Sequence, residues 1–483
     1  MSFDGPPLGA RAAASLLAHW RNGRASVAAY DALADAIRML VIDGRIALGT
    51  RLPAERGLAE TLGLSRTTVA SAYSRLRDDG FLESLRGSGS VVRLPRALGG
   101  RHDPDALGTP VDDTGLLDLR RAVLHAAPGV AEAIERAMRH LPAALADPGY
   151  DTVGDHSLRK AIAERYTERG LPTTADEITV TLGAQHAIAL LSRTLVSRGQ
   201  GVLMESPTYP HAHEAFRSAG GRPVPVPVDA EHGWDMATLV AVLRRAAPAV
   251  AYVMPDLHNP TGATMSIDDR RILLREAVAV GTVVIADETM GELRLDDATL
   301  PPLAALGPAV LIGSADKMFW GGLRIGWIRA ERSLLQRLVI ARPMNDLGTP
   351  VLEQLIVREL VPLTEATLEE RRRHLREGRD HLVAELRSRF PGWTVPSPAG
   401  GLTLWVNLGR PVSSAFVLAA RDEGIVLASG GVFGSEGGFE RFLRIPFSSG
   451  RSDRERIVDA LERAWARVGP SSASIRGSSA AVV

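Results

Sequence analysis

Residues 281–288 read GTVVIADE, an apolar run rich in β-branched residues that stops at two carboxylates. A short run of this kind, opened by glycine, is the pattern of a strand buried on both faces. The pattern recurs as GVLMESP at 201–207, AYVMPD at 251–256 and AVLIGS at 309–314. Segments with helical spacing lie between these runs, among them 184–197 and 268–280. Alternation of this sort over residues 116–470 predicts an α/β domain: a mostly parallel sheet with helices on both sides. Ligands bind such sheets beyond the carboxyl ends of the strands, so Asp287, the first charge after VVIA, marks the edge of a crevice.

A chain of 483 residues is too long for one ordinary core. Residues 1–25 hold glycine, proline and small side chains with a short apolar patch ending at Trp20, and read as a leading arm after which regular structure begins. Residues 26–94 carry three short helical patterns and a two-stranded end. The Pro-, Gly- and Asp-rich stretch 95–115 is a linker by composition, and 471–483, low in complexity, a disordered tail.

Basic and acidic side chains number 56 each, which excludes a protein that coats polyanions over its whole surface. No cysteine is present, so disulfides, thiolate metal sites and cysteine nucleophiles are excluded, and no metal is expected. Neither a signal segment nor eighteen consecutive apolar residues occurs, and a cytoplasmic protein that does not enter the membrane is expected. Only Lys160 and Lys317 are lysines among those 56 basic residues. A position that keeps lysine in so arginine-rich a chain is one that needs a primary amine.

Leu33, Ile37, Leu40 and Val41 share one face of a first helix, and a second carries Leu58, Ala59 and Leu62 and stops at Gly63. Ser65 stands at an N-cap position, and Val69, Tyr73 and Leu76 then repeat at helical spacing until Gly80. This is helix, tight turn, helix. The outward residues of the third helix's first turn, Arg66, Thr67 and Thr68, are where a recognition helix meets base edges and phosphates. Phe81–Arg93 reads as a hairpin with the small tip Arg86, Gly87, Ser88 and Gly89, a wing against a sugar-phosphate backbone. Nine arginines against eight acidic residues between 26 and 94 give little net charge, but Arg51, Arg56, Arg66 and Arg86 fall at loops and helix starts.

Pyridoxal 5'-phosphate requires an amine for a Schiff base, a carboxylate at the pyridine nitrogen, a donor to the phenolate, a phosphate cup and a flat group over the ring. Lys317, after the strand AVLIGS, supplies the amine, which arginine cannot replace. Asp287 supplies the carboxylate, Asn259 in HNPTG the phenolate donor and Tyr209 in SPTYP the cover. The cup consists of Gly183, Ala184 and Gln185 at a helix start, joined by Ser314 and Arg324.

The stretch GTRLPAERGLAETLGLSRTTVASAYSRLRDDGFLESLRGSGSVV at 49–92 resembles the winged helix-turn-helix of the GntR family of bacterial regulators. The resemblance implies operator contacts, on double-stranded DNA, from Arg51, Arg56, Arg66, Thr67, Thr68 and the wing Gly87–Gly89. In order, GAQ, PTYP, NPTG, ADE, SADK and GLRIGW resemble the fold-type-I aminotransferases, which implies that Arg444 in FLRIPFSS binds a substrate or effector carboxylate. One departure matters. Those enzymes place a tyrosine two or three residues after the pyridine-binding aspartate, whereas Thr289 and Met290 stand here, which argues against efficient transamination.

The two halves together resemble the MocR subfamily of GntR-family regulators. The resemblance implies a homodimer that controls vitamin B6 synthesis or the metabolism of amino compounds, with the cofactor or an amine bound to it as the signal. Without that tyrosine no physiological turnover is expected, although a residual aminotransferase half-reaction is compatible with the residues. A working aminotransferase with a fused DNA-binding module stays open as the alternative.

Overall fold

The structure is a computed structural model that describes residues 8–17, 20, 28–42, 46, 50–85, 89–92, 115–296, 298–434 and 439–468. The linker read at 95–115, except Gly115, the tail 471–483 and the wing tip Arg86–Ser88 lie outside the described residues.

The N-terminal unit consists of helices α1 (Ala10–Leu16), α2 (Ala29–Ile42), α3 (Glu55–Leu62) and α4 (Arg66–Asp78) and a hairpin of β1 (Leu82–Leu85) and β2 (Gly89–Val92). The apolar stripe of α2 meets Val69, Ala72, Tyr73 and Leu76 of α4 in one core. Each large side chain buried there contributes roughly 1.5–3 kcal/mol. Gly63 ends α3 in the left-handed conformation, φ +66°, which a side chain resists. Ser65 caps α4 by accepting from the Thr68 amide at 3.1 Å. The Tyr73 hydroxyl donates to the Pro53 carbonyl at 2.9 Å and ties the turn to the helix.

The expected arm needs correction. Residues 10–16 form a helix, and Ala13 and Leu17 are buried in the same core as Leu33 and Leu58. Seven residues cannot hold a helix alone in water, so packing onto α3 supplies what propensity does not.

The large unit opens with β3 (Leu117–Asp118) and is built on β4 (Ile178–Thr181), β5 (Gly201–Ser206), β6 (Arg222–Asp229), β7 (Gly233–Trp234), β8 (Val250–Val253), β9 (Val283–Asp287), β10 (Val310–Ser314) and β11 (Gly326–Arg329). Their order in the sheet is β4-β11-β10-β9-β8-β5-β6-β7. Pairing is parallel from β10 to β6, and β11 runs antiparallel to both its neighbours, as β7 does to β6. All strands except β11 and β7 therefore point the same way, as the alternation predicted.

Successive side chains of a strand face opposite sides of a sheet. Leu203, Ala251, Val253, Val284, Ala286 and Leu311 accordingly join one core, while Val202, Met204, Val250, Tyr252, Ile285 and Ile312 join the other. The helix Thr364–Arg389 leads to a smaller layer of β12 (Thr403–Asn407), β13 (Ile425–Val426), β14 (Ala428–Ser429) and β15 (Phe442–Pro446), closed by the helix Arg451–Val468. Here β15 lies between β12 and β14, and β13 pairs with β3. Among the described residues no helix is long and apolar enough to cross a membrane, and no group of side chains could hold a metal ion.

Candidate cofactor pocket and DNA-reading face

A cavity of about 620 Å³ opens at the carboxyl ends of β8, β9 and β10. Lys317, Asp287, Asn259, Tyr209, Ala184, Gln185, Ser314, Arg324 and Arg444 all line it, so residues spread over 260 positions of the chain converge on one space. Its size suits a small-molecule site.

Lys317 follows β10 through a turn in which Ser314 Oγ accepts from the Asp316 amide at 3.1 Å. Its amine lies 3.0 Å from Asp316 Oδ2 and donates to the Ala122 carbonyl at 3.2 Å. Lys160, the other lysine, is exposed beside Glu164.

Asp287 ends β9 and is 5% exposed. Burial pushes its carboxyl above the usual aspartate range, against hydrogen bonds from Thr289 and Tyr252. Tyr209, at the N-cap of the helix Pro210–Ser218, lies edge-on to His211 with ring centroids 5.3 Å apart. Burial pushes its hydroxyl up to about 12, with Asp287 and Asp316 adding to the shift. Asn259 accepts from Arg444 Nη1 through Oδ1 at 3.4 Å, and among the described residues its side-chain amide nitrogen makes no hydrogen bond, which leaves it able to donate.

The cup has the tightest backbone of the pocket. Gly183 opens the helix Gly183–Leu195 at φ +79°, and a Cβ there would lie 2.7 Å from Arg324 Nη2. Gly326 brings β11 against the same helix start, where a Cβ would lie 2.6 Å from the Gly183 carbonyl carbon. Arg324, itself left-handed at φ +51°, donates to the carbonyls of Leu182 and Gly321. Helix-start amides, which have no partner within the helix, and a guanidinium at close quarters suit a phosphate dianion. Gln185 donates to the His211 carbonyl at 3.1 Å, while its Oε1 is buried with no partner. Ser314 Oγ is held by the Ile325 carbonyl at 3.3 Å.

Arg444 on β15 is 6% exposed and stacks over Phe433, its guanidinium carbon 4.7 Å from the ring centroid. Burial pushes its pKa down to about 10, which leaves it charged at neutral pH. It donates to the Arg120 carbonyl and to Asn259, its Nε is buried without a partner, and among the described residues it has no carboxylate partner. A buried cation left so incompletely paired is placed to receive an anion. Primary amine, buried carboxylate, glycine-built cup and a guanidinium without a carboxylate partner among the described residues together fit pyridoxal phosphate and a carboxylate ligand.

Sequence reasoning missed the segment that crosses this pocket. The Arg120, Ala122, Val123 and His125 carbonyls accept from Arg444, Lys317, Ser448 and Arg371. It also missed Tyr252 and the buried set Glu205, Trp234 and His258, which no local pattern signals.

On the N-terminal unit Ser65, Arg66 and Thr67 are exposed and Thr68 half-buried at the start of α4. The Ser65 hydroxyl lies 2.8 Å from Thr67 Oγ1 and 2.7 Å from Thr68 Oγ1. Arg51 forms an isolated antiparallel bridge with Val91, and its side chain lies 3.9 Å from a Cβ position at Gly89, so it reaches the base of the wing. Arg56 is exposed and paired with Glu60 at 3.1 Å. Arg86, Gly87 and Ser88 lie outside the described residues.

The sequence profile of the family described as "Aminotransferase class I and II" matches residues 128–461, and that of "Bacterial regulatory proteins, gntR family" matches 29–92. The chain is 33% identical over 321 residues to the 2-aminoadipate transaminase of Thermus thermophilus, covering 65% of this chain and 79% of that protein. It is 29% identical over 333 residues to the probable rhizopine catabolism regulatory protein MocR of Rhizobium meliloti, covering 63% and 66%. The uncharacterized HTH-type transcriptional regulator YisV of Bacillus subtilis matches over 434 residues at 26% identity, covering 83% and 89%. Among solved structures, the Thermus thermophilus α-aminoadipate aminotransferase LysN, complexed with N-(5'-phosphopyridoxyl)-L-leucine, superposes with a TM-score of 0.65 at 31% identity. That likeness covers 73% of this chain and 91% of LysN.

Proposed function

The chain belongs to the class I and II aminotransferases, carries a GntR-family DNA-binding domain at its N-terminal end, and, we propose, regulates transcription according to what its Lys317 pocket holds. Its cofactor is pyridoxal phosphate. The observation that carries the proposal is the composition of the pocket: every group needed to hold the cofactor is present, while Thr289 and Met290 stand at the positions where the enzymes have a tuning tyrosine.

When bound, the cofactor supplies an aldehyde that captures amines and a ring that can accept electrons. The chain's own residues do the rest. Lys317 Nζ is the capturing amine, and Asp316 Oδ2, 3.0 Å away, helps to position it. Asp287 holds the ring nitrogen, Tyr209 covers the ring, and Asn259 donates from the phenolate side. Gly183, Ala184, Gln185, Ser314 and Arg324 orient the phosphate. Arg444 binds the carboxylate of an amine-bearing effector and so selects amino acids over simple amines.

Lys317 and Arg444 also donate to the carbonyls of Ala122 and Arg120, in the segment that follows the linker from the reader. A ligand that recruits either cation takes a donor from that segment. Such an exchange biases the regulator only through different affinities for its two arrangements. At the other end, Arg66, Thr67 and Thr68 of α4 face the bases of a double-stranded operator, with Arg51 and Arg56 on phosphates.

A homodimer is part of the proposal. Leu145, Tyr150, Ile340, Met344 and Leu347 are exposed, and the two stretches that carry them meet where Arg342 donates to the Thr152 carbonyl at 2.7 Å. Exposed apolar side chains brought together in this way favour burial against a second copy.

The test is a spectral titration of the purified chain with pyridoxal phosphate and then with amino acids, with binding to its own upstream DNA followed in parallel. The proposal expects capture of the cofactor and a change in DNA affinity. A colourless chain with unaltered DNA binding overturns it. Similarity to the 2-aminoadipate transaminase favours a second reading, a working enzyme with a DNA module, and amino-group transfer to a keto acid at enzymatic rates is what that reading requires.

A further inference from the structure

Tyr252 stands in the middle of AYVMPD, where a core aromatic is the ordinary expectation. It lies on β8 opposite Ile285 of β9, so Asp287, two residues further, is its diagonal neighbour on the same face of the sheet. The tyrosine side chain is fully buried, its ring tilted against Phe216 with centroids 5.6 Å apart.

Its hydroxyl donates to Asp287 Oδ2 at 2.7 Å. Thr289 donates to the other oxygen twice, from its amide at 3.1 Å and its hydroxyl at 2.7 Å. An ionised carboxylate offers about four acceptor positions. Three are filled from within the chain, and the remaining one belongs to Oδ2, on a side chain that lines the cavity with Lys317, Asn259 and Tyr209.

We propose that Tyr252 is a positioning residue: its hydroxyl, with that of Thr289, keeps Asp287 ionised and turns its last acceptor position toward the cofactor's pyridine nitrogen. The inference rests on the cofactor reading given above and assigns a role to a residue outside the motifs that carry that reading. Physical chemistry supplies the need for it. A carboxylate buried among apolar strands is driven toward its neutral form, and donors to the charged form oppose that drive. Glu205, a second buried carboxylate, adds to the drive on Asp287 although it accepts from Trp234 Nε1 at 2.9 Å and the Met254 amide at 3.0 Å, with His258 Nε2 3.2 Å away. Tyr209 is also coupled to Asp287. With Met290 in the loop, the phenolate side loses one adjustable donor, and control of the ring falls more heavily on its nitrogen.

The experiment compares Tyr252→Phe with the parent, both as full chains loaded with pyridoxal phosphate. It reads cofactor affinity and the pH at which the bound chromophore passes between its acid and base forms. That hydrogen bond exists with or without the cofactor, so its loss weakens cofactor binding by only part of its worth, up to about tenfold. The bare Oδ2 becomes the stronger base, draws the proton from the ring nitrogen, and the chromophore's transition moves to higher pH. A merely structural loss would weaken binding without moving that transition. Thr289→Val shifts it in the same direction and Thr289→Ser restores it, so the inference is tested even if the Phe variant fails to fold. A Phe variant that titrates as the parent does, or a Val variant indistinguishable from Ser, overturns the inference alone. A parent that captures no cofactor overturns the functional reading and this inference with it.

Discussion

Replacing Gly183 by alanine tests the phosphate cup at its tightest point. The residue sits at φ +79°, and the new Cβ would lie 2.7 Å from Arg324 Nη2 and 3.3 Å from its guanidinium carbon. Holding a side chain in the left-handed region costs about 1–2 kcal/mol, a small part of the stability of a domain this size. The larger effect falls on binding, because Arg324 can yield only by swinging away from the helix start. Losing one charge-assisted contact to phosphate costs roughly 1.5–3 kcal/mol, and each 1.4 kcal/mol is about tenfold in affinity. Gly183→Ala should therefore bind pyridoxal phosphate about ten- to a hundredfold more weakly, as measured by absorbance or fluorescence titration. Pyridoxal, which lacks the phosphate, should bind the variant and the parent alike. Equal affinity of parent and variant for the phosphorylated form, or equal losses for both vitamers, would refute the reasoning.

Lys317→Ala should abolish the borohydride-stable pyridoxyl label while leaving the melting transition in place; a label retained elsewhere at parent stoichiometry removes Lys317 from the role. Thr67→Ala with Thr68→Ala should cost roughly 1–3 kcal/mol of base discrimination per lost good contact, read by competition between operator and scrambled duplexes. Unchanged discrimination takes both residues out of the interface. Glu288 is 6% exposed, and its carboxyl is pushed up to about 7, first by burial, with Arg169 opposing. A carboxyl raised above its unfolded value contributes stability that is complete in acid and disappears as pH rises through the folded value. The parent should therefore lose more thermal stability than Glu288→Gln between about pH 5 and pH 8, by up to roughly 3 kcal/mol. Parallel pH profiles would count against the shift.

The sheet was legible because each buried strand is a short β-branched run between turn residues, and β9 ends in the carboxylate that opens the pocket. Lys317 was legible for a different reason: an arginine-rich chain makes a retained lysine conspicuous. Arg444 could be placed only by resemblance, since its partners Asn259 and Arg120 lie 185 and 324 positions away along the chain. Helix α1 was hidden because its stability comes from burying Ala13 and Leu17 against α3 and not from its own seven residues. Tyr252 was hidden because the alternation of a strand says which face a ring takes and not which oxygen it reaches. The contacts at Arg120 and Ala122 were hidden more deeply still, because they use backbone carbonyls, which carry no residue code.

Coupling between the two ends is tested most directly by the affinity of the full chain for its own upstream DNA, measured with and without saturating pyridoxal phosphate, in the parent and in Lys317→Ala. A cofactor-dependent change in the parent that disappears in the variant is the predicted result. Equal affinities under all four conditions would contradict the claim that the Lys317 pocket governs the reader.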